Sequence, residues 1–251
     1  YITYRDFSPN FQADVGFVVK NNRKWATLYH TYQTFPNKPA LQFLSFGTKA
    51  DIVYTYEDYL KTISVDGILS IKTLFNTEIS YTFDFDAFKN FLGKDYRNLE
   101  SNRFIITSSP SESFSLNLNL TVGRELAFNE AIPEKGKELK FNFIPLIQLS
   151  NKLRISPSIR YARLKHLDSN DFYYNGSISR FSVRYQFNNF FNVRIISEYN
   201  TFTERFFIQP LIQWNPNPST VFYIGGNQNS LSDFNDDCLL YTSDAADESS
   251  S

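Results

Sequence analysis

An all-β fold, an antiparallel up-and-down transmembrane β-barrel seen here as a fragment of a larger one, is predicted by three observations. Apolar and polar residues alternate strictly over long segments, no apolar run approaches the length of a spanning helix, and the connections alternate between short and long. The alternation is clearest at 113–123. There Phe114, Leu116, Leu118, Leu120 and Val122 fall on one side of an extended chain, and Ser115, Asn117, Asn119 and Thr121 on the other. A tilted strand needs about 9–11 residues to cross a bilayer, whereas strands of water-soluble domains average about 5–6. A spanning helix needs roughly 20 apolar residues, and stretches such as Phe143–Ile147 fall far short. Without such helices, a membrane-crossing chain must satisfy its backbone between strands and close on itself.

Period-two alternation and turn residues place about twelve strands, near 24–35, 41–56, 61–74, 77–86, 102–108, 113–123, 139–149, 152–163, 173–187, 190–200, 205–214 and 219–227. The 173–187 segment sets Ser179, Phe181, Val183, Tyr185 and Phe187 against Arg180, Ser182, Arg184 and Gln186. Its neighbour sets Phe191, Val193, Ile195 and Tyr199 against Asn192, Arg194, Glu198 and Asn200, with Asn188-Asn189 as a tight hairpin turn between them. Short connections are expected near 215–219, 188–189, 150–151, 109–112 and 76, and longer ones near 201–204, 164–172, 125–138 and 87–101. That asymmetry is the one outer-membrane barrels show between periplasmic turns and outer loops. Pro145, Pro157 and Pro210 fall inside candidate strands, where a missing N–H predicts bulges.

Composition agrees with this arrangement. The chain of 251 residues is 42% hydrophobic and 18% aromatic, yet its mean hydropathy is −0.35, as expected where half of every strand faces a polar lumen. The segment Cys238-Leu-Leu-Tyr-Thr-Ser-Asp-Ala-Ala-Asp-Glu248 reads as one frame of a transposon-based sequencing adapter. Residues 237–251 are therefore set apart from a barrel domain over 1–236 that is expected to be truncated at both ends; a natural acidic tail is the competing reading. Removing the adapter-like segment 238–248, with Asp244, Asp247 and Glu248, takes the acids from 26 to 23 against 25 basic residues and the formal charge from −1 to +2, and neither value suggests nucleic-acid binding. It also removes Cys238, the single cysteine, and with it any disulfide framework or thiolate metal site.

Three stretches together resemble an uncharacterised outer-membrane barrel family, domain of unknown function number 5916. They are Arg5-Asp-Phe-Ser-Pro-Asn-Phe-Gln-Ala-Asp-Val-Gly-Phe-Val18, Tyr185-Gln-Phe-Asn-Asn-Phe-Phe-Asn-Val-Arg-Ile-Ile-Ser-Glu-Tyr-Asn200, and Gln209-Pro-Leu-Ile-Gln-Trp-Asn-Pro-Asn-Pro-Ser-Thr-Val-Phe-Tyr-Ile-Gly225. Lys20 stands where the family often has arginine, and Ser219 where it usually has glycine. The resemblance implies a barrel in the outer membrane of a Gram-negative bacterium, carrying on its amino-terminal side a domain like the family 9 carbohydrate-binding modules. It also implies a further strand beyond Asp236, and no catalytic residues transfer with it.

Chemistry is sparse. His30 and His166 are the only histidines, and the sequence has no Gly-x-Ser-x-Gly elbow, no phosphate-cradling glycine loop and no metal-loop spacing of carboxylates. No catalytic residue, metal or cofactor is therefore expected. The more informative set is Arg154, Arg160, Arg180, Arg184 and Arg194, which project to the polar side of neighbouring strands, with Lys140 and Arg205 as possible extensions of a basic lumen wall. The competing expectation is that Glu198, Glu78, Asp84 and Asp86 neutralise these arginines. The expected function is an outer-membrane anchor for a glycan-binding module, with passive passage of small solutes, and its partners are outer-membrane lipid and glycans. The alternatives are a barrel hydrolase acting on lipid or glycan with His30 or His166 as base, and a soluble β-sandwich binding protein.

Overall fold

A computed structural model describes residues 1–11, 21–36, 38, 40–128, 130–217 and 219–231. Two sequence expectations fall outside the described residues: the Gln12–Val18 part of the first resembling stretch with Lys20, and the tail from 232 onward. The chain forms β1 (Ile2–Phe7), β2 (Arg23–Thr34), β3 (Leu41–Tyr54), β4 (Leu60–Thr73), β5 (Thr77–Phe91), β6 (Lys94–Ser111) and β7 (Phe114–Leu126). It continues through β8 (Lys135–Gln148), β9 (Leu153–His166), β10 (Phe172–Gln186), β11 (Phe191–Asn200), β12 (Arg205–Asn217), β13 (Thr220–Gly225) and β14 (Gln228–Leu231). From β1 to β13 each strand pairs with the next in one up-and-down sheet, the antiparallel all-β arrangement that the alternation predicts. Among the described residues the path does not return from β13 to β1, so the sheet is that of a barrel fragment, not a closed barrel. No helix of the described residues is long and apolar enough to cross a membrane.

By their internal contacts the residues form two compact units. The first comprises Tyr1–Ile106, Leu120–Leu139 and Leu164–Tyr173, and the second Thr107–Asn119, Lys140–Arg163 and the chain from Tyr174 onward.

In the first unit the register places Leu28, Ala50, Val65 and Phe85 in one cross-strand row and Tyr32, Phe46, Leu69 and Tyr81 in another. Both rows lie on the apolar face, and that face is the accessible one: Phe46 is 51% exposed while Asp51, on the polar face, is 8%. The same inversion holds at Thr121 (7%) and Val122 (44%). The small apolar core of the unit lies near one end of its strands, where Tyr96, Leu99 and Leu126 pack with Phe91 and the Tyr96 hydroxyl donates to the Pro133 carbonyl at 2.6 Å.

The structure corrects the expected long connection at 87–101. It is strand, closed by a two-residue turn at Leu92-Gly93 with both residues at positive φ (50° and 79°), the backbone of a type I′ hairpin. The pattern misleads because Asn98, at φ 56°, interrupts the pleat. Tyr96 and Leu99, three residues apart, are consequently both buried, which a strict period of two forbids. Gly123 of β7 answers this distortion: a Cβ there would lie 2.2 Å from the Glu100 carbonyl oxygen, so only glycine permits the close approach. The other expected loops also shorten as strands run on, to 127–134 and 167–171.

Between β11 and β12, Pro210 is accommodated without the bulge expected of it. Across β11 and β12 the register runs unbroken through Ile195 opposite Pro210. Pro210 turns its backbone instead toward the last chain segment, where its carbonyl accepts from Gly226 N–H at 3.2 Å. Opposite a residue with no N–H to give, the ladder fails. The partner strand is split there into β13 and β14, which keep the same register on β12 across the gap (Leu211 with Gly225, Ile208 with Gln228), the register shifting only farther along, between Trp214 and Asn217. Pro145 and Pro157 lie within β8 and β9.

Candidate functional site

Two polar faces and one cavity carry the chemistry. On the polar face of the first unit, Asp51 of β3 accepts from Trp25 Nε1 (2.8 Å) and Thr27 Oγ1 (2.6 Å) on one oxygen and from Lys49 Nζ on the other. Lys49 also reaches Asp66 at 3.5 Å. Asp84 lies 3.5 Å from Arg103, Asp86 lies 3.1 Å from Lys89, and Glu78 sits opposite Lys72 in the β4–β5 register. Three of the four carboxylates expected to neutralise the arginines are thus next to basic residues of their own unit. Trp25 is flanked by two guanidinium groups, Arg5 at 5.0 Å and Arg23 at 5.1 Å from its ring centroid, close enough for cation–π attraction.

The second unit holds the five predicted arginines. Arg154 and Arg160 lie on β9, Arg180 and Arg184 on β10, and Arg194 on β11. Arg180 faces Glu198 across the strands, with an ion-pair distance of 3.7 Å. Arg184 faces Arg194 directly. Arg205 of β12 lies opposite Asn200 on the same face. Glu198 is the single carboxylate on the polar face of β9–β12 among the described residues of this unit. Arg180, Glu198, Asn200, Thr203, Arg205 and Phe207 line an open depression of about 370 Å³.

The two histidines part company. His30, exposed on β2, lies opposite Thr48 in the row pattern of the apolar face. His166, at the end of β9, stacks on Tyr173 with ring centroids 3.7 Å apart. Around it, Tyr96, Glu134, Lys135, Asp168 and Tyr173 help line a cavity of about 390 Å³ in the first unit. The Tyr173 hydroxyl donates to Glu134 Oε2 at 2.9 Å. Tyr173 lies at the head of β10, outside its apolar stretch, and burial together with this carboxylate pushes its phenol up to about 12. Sequence reasoning missed Glu134 and Tyr173, because 39 residues separate them and neither carries a motif. No group of three or more His, Cys, Asp or Glu placed to hold a metal occurs among the described residues. Compared with known proteins, the chain matches no family model, no curated protein and no solved structure.

Proposed function

We propose that this chain is part of an outer-membrane β-barrel of a Gram-negative bacterium, one that anchors a carbohydrate-binding-like module at the cell surface and lets small solutes pass. The observation that carries the reading is the inversion of burial. Water-soluble proteins seldom leave contiguous apolar patches beyond a few hundred Å² open to solvent. Here aromatic and aliphatic rows run across successive strands on the accessible face, while Asp51, Thr27 and Thr121 are buried. Strands of 10–18 residues from β2 to β12 are long enough to cross a bilayer, and hydrocarbon is the environment in which such an outward apolar face costs nothing. The anchored module rests on the resemblance to domain of unknown function number 5916, and the passage of solutes on the polar faces.

The two tryptophans provide the test, since Trp25 lies on a polar face and Trp214, 49% exposed, stacks on Phe222 on an apolar one. Reconstituted into vesicles of lipid brominated on the acyl chains, the Trp25→Phe variant, reporting Trp214, should lose more than half of its emission. The Trp214→Phe variant, reporting Trp25, should be nearly unaffected. Equal responses from both, or a chain that stays in buffer without detergent, would overturn the reading.

A further inference from the structure

We infer that the second unit holds a binding site for a small oxyanion, a phosphate or carboxylate, in a row formed by Arg154, Arg184 and Arg194. The inference rests on the barrel reading, which makes this polar face the enclosed one. The hydrogen bonds from Phe187 N–H to Phe191 O (3.0 Å) and from Thr201 N–H to Ser177 O (2.9 Å) fix which β10–β11 pairs exchange backbone bonds. The odd residues of β10 do so, and Arg184 with Arg194 therefore forms a non-hydrogen-bonded pair, the type in which side chains approach most closely, with Cα atoms about 4.5 Å apart. On the other side of β10, Gln186 N–H donates to Lys152 O at 2.8 Å. Two residues further along each strand, the same register brings Arg154 opposite Arg184. Three guanidinium groups thus spring from one row on three adjacent strands, a width of roughly 10 Å at about 4.8 Å per strand.

Like charges directly opposite each other destabilise a sheet, and nothing in the row offsets them. Glu198, engaged with Arg180, stands four residues from Arg194, about 13 Å along the strand. Across β11 the next residue in the row is Leu211. The neighbouring rows supply no carboxylate: Gln186 and Asn192 with Lys152 on one side, and Ser182 on the other. Arg194 Nε is buried and has no hydrogen-bond partner. A bound oxyanion removes the repulsion and accepts from the planar guanidinium forks in the bidentate geometry that arginine offers phosphate and carboxylate.

The experiment is calorimetric titration of inorganic phosphate into the full chain in zwitterionic detergent micelles, compared with Arg184→Gln, Arg194→Gln and Arg103→Gln. Phosphate should bind the wild type and Arg103→Gln alike, and at least tenfold more weakly to either row variant. Arg184→Lys, which keeps the charge and loses the fork, should fall between, so a Gln variant that misfolds does not decide the matter. Absence of phosphate binding to the wild type, or equal binding by Arg184→Lys and the wild type, overturns the site. Adding phosphatidylglycerol to the micelles separates two sources of the same chemistry: a site for a soluble anion keeps its phosphate affinity, whereas loss of that affinity assigns the row to a lipid headgroup and overturns the soluble ligand. Lipid quenching of Trp214, measured on the same preparations, reports separately on the barrel reading.

Discussion

The polar faces of the two units solve one problem in opposite ways. In the first unit the acids on the polar face of β3–β5 stand beside bases: Lys49 serves Asp51 and Asp66, Arg103 serves Asp84, and Lys89 serves Asp86. On the polar face of β9–β12 in the second unit, six arginines accompany a single carboxylate among the described residues. The strand pattern is the same in both, so alternation alone decides which side is polar, while the placement of acids decides whether that side is self-satisfied or left attractive to a ligand. A self-satisfied face contributes to stability, and an unsatisfied one costs stability until something binds.

The largest expected effect follows from breaking the satisfied face. Asp51→Ala strips Trp25, Thr27 and Lys49 of a common acceptor and should cost about 3 kcal/mol, the scale for removing one partner of a buried charged network. Urea unfolding in detergent micelles, followed by far-ultraviolet circular dichroism, measures it. Gly123→Ala should cost about 2 kcal/mol in the same assay, because its Cβ meets backbone at Glu100 and not a side chain that can swing aside. In the second unit, Glu198→Gln should change stability by less than about 1 kcal/mol, since its ion pair with Arg180 is solvent-accessible on both sides. The same change should strengthen phosphate binding severalfold in the calorimeter, by removing the carboxylate that shares the polar face of β9–β12 with the arginines. Smallest is the alkaline titration of Tyr173. Its folded phenol titrates near 12, above the ordinary tyrosine value of 10.0, so its contribution is complete below pH 10 and lost as pH rises toward 12. Tyr173→Phe should remove one high-pH step from the near-ultraviolet absorbance titration.

Much of the fold was legible because period-two alternation is a backbone property that local sequence reports directly. All twelve strands expected from the pattern are present as β2–β13. β1 and β14 are not marked by the pattern: β14 has four residues, and in β1 the charged Arg5 and Asp6 stand side by side on opposite faces and break the alternation. The stretch 87–101 was misread because the left-handed Asn98 shifts the phase between Tyr96 and Leu99. The arginines were visible as residues on the polar side of their strands. Their grouping was not, since the facing of Arg184 by Arg194 depends on register, which turn lengths and hydrogen bonds set. The pairing of Tyr173 with Glu134 depends on strands far apart in sequence, and only the assembled sheet brings them together.

Pro210 has a mechanical consequence. Where β12 has no proton to offer, the last run of the sheet is broken into β13 and β14, which hold to β12 on either side of the gap. In the slow breathing that exposes amides to deuterium, exchange should begin at that gap and spread along the intact rungs on both sides.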